Sequence, residues 1–124
     1  MSIEPDCKIS VVIPVFMSAQ FLEELYRRLN NVLVNFGEAW EIIMVDDAST
    51  DGSYLVMQQL RAKDKRVKII QLARNQGQHH ATLCGLKSSS GKYVITLDDD
   101  LQNPPKEFPK ILHKLEERFN AVIV

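Results

Sequence analysis

Short runs of aliphatic and β-branched residues alternate with helix-length segments along the whole sequence, and that alternation limits the possible folds more than any other feature. Ile9-Ser10-Val11-Val12-Ile13 reads as a buried strand stopped by Pro14. Ser18 is placed to cap a helix reaching about Phe36, whose apolar residues Phe21, Leu22, Leu25, Leu29, Val32, Leu33 and Phe36 form one stripe. The second strand, Glu41-Ile42-Ile43-Met44-Val45, ends in Asp46-Asp47, and the turn and cap residues 48–53 precede a helix through about Ala62. Val67 to Leu72 makes a third strand, Arg74-Asn75-Gln76-Gly77 opens a loop, and a helix runs from about Gln78 to Lys87. Tyr93 to Leu97 is the fourth strand. Asn103, Pro104 and Pro105 start a last helix buried through Phe108, Ile111, Leu112, Leu115 and Phe119, and Ala121 begins another strand. The expectation is an α/β fold, a mostly parallel open sheet with right-handed crossovers and helices on both faces.

At 124 residues the chain has room for a single domain. Its formal net charge of −1 and its mixed charge pattern supply no basic footprint for nucleic acid. Cys7 and Cys84 match no metal-ligand spacing and read as reduced thiols, which fits a cytoplasmic setting. No stretch approaches the roughly 20 apolar residues of a membrane span. A sequence that stops within a strand reads as the N-terminal part of a larger catalytic domain. The sheet edge left there offers a surface for homo-oligomer formation by strand pairing.

Two acidic clusters follow strands, Asp46-Asp47 after the second and Asp98-Asp99-Asp100 after the fourth. In a parallel sheet all strand C-termini share one edge, so both clusters should border one crevice. Adjacent carboxylates repel and need a positive partner, such as a hard cation carrying a phosphate-bearing ligand. If the backbone stays extended, Asp98, Asp100 and Gln102 point one way and Asp99 the other. Two carboxylates and an amide oxygen suit magnesium or manganese rather than zinc. Asp47 is placed to accept a hydrogen bond from a base N–H, and Phe16 to offer the ring a flat face. The competing readings are a solvated acidic turn for Asp98–Asp100, capping and turn formation for Asp46 and Asp47, and core packing for Phe16.

Ile9 to Phe16, Val45-Asp46-Asp47-Ala48-Ser49-Thr50-Asp51-Gly52-Ser53 and Leu97-Asp98-Asp99-Asp100-Leu101-Gln102-Asn103-Pro104-Pro105 resemble inverting family 2 glycosyltransferases of the GT-A fold. The third segment, with Arg74-Asn75-Gln76-Gly77-Gln78-His79 before it, is most similar to the polyprenyl-phosphate branch, which includes dolichyl- and undecaprenyl-phosphate sugar transferases. The resemblance spans nearly the whole chain and the nucleotide-binding half of a family catalytic domain. It places Pro14, Phe16, Val45 and Asp47 on nucleotide-contacting positions. It also puts Asp98, Asp99 and Asp100 on the Asp-x-Asp motif, with Asp98 and Asp99 beside the nucleotide and Asp98, Asp100 and Gln102 as the metal set. The implied reaction moves a sugar from a nucleotide donor, a UDP-sugar, to a lipid phosphate at a membrane surface, with inversion and with Mg2+ or Mn2+. Acceptor-side catalytic residues are expected beyond Val124. Where family members often carry Tyr, Asn and Glu, this chain has Phe16, Met17 and Ser18, and Asp99 replaces a usually small middle residue.

Three other functions compete. A phosphorelay receiver has a similar length, but its acids follow the first and third strands. A haloacid-dehalogenase-like phosphatase needs a nucleophilic Asp early in the chain. A non-catalytic nucleotide-binding module would bind without turnover. Arg74, Asn75 and Gly77 either shape a loop near a diphosphate or form a surface turn. His79 and His80, adjacent on a helix, project about 100° apart and are read as structural or solvated, and His113, in an amphipathic helix, as a surface residue.

Overall fold

In a computed structural model, residues 9–36, 39–99 and 121–123 are described. The elements are β1 (Ile9–Val15), α1 (Ala19–Phe36), β2 (Trp40–Asp46), α2 (Ser53–Lys63), β3 (Val67–Gln71), α3 (Gln78–Ser88), β4 (Tyr93–Thr96) and β5 (Ala121–Ile123). They build one parallel sheet in the order β3-β2-β1-β4-β5. That order departs from the 2-1-3-4-5 arrangement of receiver domains, which removes the receiver reading. The expected final helix, including Asn103 and Phe108, lies outside the described residues.

Side-chain alternation sorts the sheet into two faces. Val11, Ile13 and Val15 of β1 and Ile42 and Met44 of β2 pack against Leu22, Leu25, Leu29 and Leu33 of α1 and Met57 and Leu60 of α2. Val12, Ile43 and Val45 face Ala81 of α3 on the other side. Helices therefore cover both faces, as the strand and helix alternation requires. α3 comes so close to the sheet that a Cβ on Gly85 would overlap Val12 Cγ1 and lie 3.2 Å from Val45 Cγ2.

β1 does not stop at Pro14; it continues to Val15. The reason lies in the ladder. Val12 O accepts from Leu97 N–H on the β4 side, and Val15 O accepts from Asp47 N–H on the β2 side. Alternation then aims the donor-less nitrogen of Pro14 toward β4, whose pairing with β1 ends at Val12↔Thr96. Proline costs no ladder bond there. Ser18 also departs from expectation. Its side chain does not cap α1; Ala19 N–H donates instead to Asp51 Oδ2 at 3.1 Å.

At the opposite end of the strands, buried Glu41 accepts from Ser10 Oγ (2.5 Å), Ser90 N (2.7 Å) and Ser90 Oγ (2.9 Å), and pairs with Lys68 Nζ at 2.6 Å. One carboxylate thus ties β1, β2, β3 and the turn before β4. Burial pushes this carboxyl up, but the Lys68 ammonium and the Ser10 and Ser90 donors together outweigh it and hold the group below its usual range. The folded carboxyl therefore binds its proton less tightly than the unfolded one. Its contribution is complete above the ordinary value of 4.5 and is lost as pH falls through the lowered one.

Glu41→Gln should lower stability near neutral pH by about 2 kcal/mol, because its amide NH2 meets donors. The variant should also lose less stability than wild type on acidification to about pH 3. Urea unfolding at both pH values checks this. Gly85→Ala should destabilise by about 1–3 kcal/mol through overpacking against Val12, read as a lowered Tm.

Candidate functional site

β1 lies between β2 and β4, and the chain leaves it in opposite directions across the sheet. The crevice past the strand C-termini at such a switch point is where open α/β sheets take ligands. A cleft of about 410 Å³ lies there, lined by Pro14, Val15, Phe16, Asp47, Asn75, Gly77, Gln78 and Asp99. A second cleft of about 560 Å³ shares Pro14 and Gln78 and extends past Asp98 along Leu83 and Leu86 of α3.

The two acidic clusters do border one crevice. Pro14, Phe16, Asp47 and Asp99 line the first cleft together, and Asp98 stands on the wall of the second. Val45 does not reach either. It is fully buried, paired with Pro14 in the sheet and turned toward α3, so it backs the cleft wall from behind. Asp100 and Gln102 lie outside the described residues.

Phe16 is half exposed, so the core-packing alternative fails and its ring remains available to a ligand. Asp47 is buried, and both its oxygens accept backbone N–H groups, Oδ1 from Gln76 at 2.7 Å and Oδ2 from Gly77 at 2.9 Å. The side chain of Asn75 donates to Asp47 O at 3.3 Å. Asp47 thus holds the loop that enters α3, where Gly77 has φ 97°, a left-handed value that favours glycine. Asp46 takes the turn-forming role, accepting Ser49 N–H at 3.3 Å, while its Oδ2 is buried without a hydrogen-bond partner.

β4 ends at Thr96, so the extended backbone assumed for the acidic run does not persist through it. Asp98 and Asp99 nevertheless diverge. Asp98 Oδ1 accepts from Gln78 Nε2 at 3.0 Å, whereas Asp99 Oδ2 accepts from Phe16 N–H at 2.9 Å and faces the Ser18 hydroxyl. Asp98 brings carboxylate oxygen, the donor type a hard cation prefers. Among the described residues no group of three His, Cys, Asp or Glu side chains is arranged to hold a metal, and His79 and His80 are both exposed. Gln78 was not anticipated as a site residue. Its place just after Gly77, at the strand-end edge, was the available signal.

The glycosyl transferase family 2 model matches residues 10–124. The chain belongs to that family. It is 44% identical over 119 residues to the undecaprenyl-phosphate 4-deoxy-4-formamido-L-arabinose transferases of Salmonella typhimurium and Salmonella paratyphi B, covering 95% of this chain and 36% of each relative. The chain thus spans about a third of the length of the curated relatives it matches. Among solved structures, S. aureus TarS residues 1–349 superpose with a TM-score of 0.66 at 26% identity, covering 89% of this chain and 32% of that one. The same protein in complex with UDP-GlcNAc gives 0.65 at 26% identity, with 89% and 31% covered. The mannosyltransferase PcManGT from Pyrobaculum calidifontis, in complex with GDP-Man and Mn2+, gives 0.65 at 21% identity, covering 75% and 27%. The parallel open sheet with helices on both faces is therefore the GT-A arrangement expected from the sequence.

Asp47→Ala should destabilise by about 1–2 kcal/mol and open the Gln76 and Gly77 amides to exchange, since two part-buried N–H groups lose a charged acceptor. Asp47→Asn should cost about half as much, because one oxygen survives. Denaturant unfolding and amide hydrogen exchange together read both effects.

Proposed function

We propose that the cleft between Phe16 and Asp47 takes the nucleoside diphosphate of a sugar donor, a UDP-sugar, and that the whole protein transfers the sugar to a polyprenyl phosphate. The observation that carries this reading is convergence. An available aromatic face, a carboxylate-braced loop and the Asp98–Asp99 pair meet at the switch point of a family 2 chain. The UDP-GlcNAc complex of TarS supports the choice of nucleotide, and the undecaprenyl-phosphate relatives support the choice of acceptor. No helix among the described residues is long and apolar enough to cross a membrane. The acceptor phosphate, as a lipid headgroup, is met at a membrane surface. We place that surface on the cytoplasmic side.

Phe16 stacks on the base. The Asn75–Gly77 loop, held by Asp47, shapes the far wall. Asp98, with Asp100 and Gln102, would hold a magnesium or manganese ion, which supplies charge neutralisation for the departing diphosphate. Gln78 donates to Asp98 and orients its carboxylate. The acceptor phosphate is already an oxyanion, so in-line attack at the anomeric carbon, with inversion, needs no strong base.

Calorimetric titration of UDP with manganese present should show binding that weakens at least tenfold when the metal is chelated. Phe16→Ala should weaken it about tenfold with an unchanged Tm, through lost stacking. Binding that ignores both chelation and Phe16 would remove the proposal.

A further inference from the structure

The turn between β1 and α1 is held by other segments' side chains. Four successive N–H groups each donate to a side-chain oxygen: Phe16 to Asp99 Oδ2 (2.9 Å), Met17 to Ser49 Oγ (2.9 Å), Ser18 to Ser53 Oγ (3.0 Å) and Ala19 to Asp51 Oδ2 (3.1 Å). Three of these acceptors come from the segment that follows β2 and from the first residue of α2. Asp99 alone comes from the end of β4, across the crevice. The Ser18 hydroxyl, with one proton to give, faces both the same Asp99 oxygen and the Phe16 carbonyl. Met17, next in the turn, has φ 54°, a left-handed value unfavourable for a side chain of its kind. Phe16 is half exposed, so packing alone does not fix its ring.

We propose that Asp99 is a positioning residue that clasps the Phe16 turn to the end of β4 and so sets the wall of the donor cleft. It works through Phe16 and Ser18 as a hydrogen-bond acceptor. The Phe16 and Ser18 donors converge on one oxygen, Oδ2, so an amide oxygen in that place keeps both bonds, each weaker than to a carboxylate. Asp98, one residue earlier, turns instead to Gln78 at the start of α3. Adjacent carboxylates thereby brace opposite walls. The effect on affinity rests on the nucleotide reading of the cleft, while the clasp itself does not.

The test compares wild type, D99N and D99A in two measurements. The first is UDP affinity with manganese. D99A should bind about tenfold more weakly, as expected for losing a shared acceptor, and D99N should stay within about threefold of wild type. The second uses protein labelled with fluorinated phenylalanine, free of nucleotide, with the Phe16 19F resonance identified by its loss in Phe16→Leu. That resonance should shift or broaden in D99A and keep its wild-type position in D99N. If D99N loses as much affinity as D99A, charge is the active property and the proposal is wrong. An unmoved Phe16 resonance in D99A overturns it as well. Should wild type not bind UDP, the functional reading of the cleft fails, and the fluorine spectra still decide the clasp.

Discussion

Parallel pairing of β1 with neighbours on both sides is the constraint on which the rest of this molecule depends. It buries Ile9–Val15 on both faces and sends every strand C-terminus to one edge. It also lets β1 outrun β4 by a few residues. Past Val12 one flank of β1 is open, and that open flank is where Pro14, Val15 and Phe16 line the cleft. The crevice is therefore a product of unequal strand lengths in a parallel sheet.

Loops at such an edge have few backbone partners, and here side chains supply them. Asp47 takes two N–H groups of the loop before α3, and Asp99, Ser49, Ser53 and Asp51 take four in the turn after β1. Each bond contributes only about 1 kcal/mol, more where a carboxylate accepts, yet together they offset the left-handed backbone at Met17 and Ala48. This pattern gives acidic residues a structural duty at the same edge where ligand chemistry is proposed. Asp47 shows the two combined, because it fixes the loop and lines the cleft.

The fold was legible because hydrophobic period is a property of each segment by itself. The α1 stripe of Leu22, Leu25, Leu29 and Leu33 is fully buried, and the first four strands fall within a residue or two of their expected spans. What escaped depended on partners distant in sequence. Pro14 looked like a strand breaker because nothing local reveals that β4 ends early. Ser18 looked like a cap, but Asp51, far along the chain, takes that bond. Val45 matched a family position, and only the side-chain alternation of β2 shows that it faces α3. Placing Phe16, Asp47 and Asp99 at one crevice needed only the rule that parallel strands share an edge. Asp99's bond to Phe16 N–H needed coordinates.

The central claim is that one cleft at the β1–β4 switch point binds the donor nucleotide. Amide chemical-shift mapping by 1H–15N NMR during UDP addition tests it most directly. The account predicts the largest shifts at Phe16, Met17, Gln76, Gly77, Asp98 and Asp99, with the Glu41 end of the sheet unmoved. Shifts centred on Leu83 and Leu86 of α3, or on the Tyr26 and Asp64 side of the molecule, would contradict it.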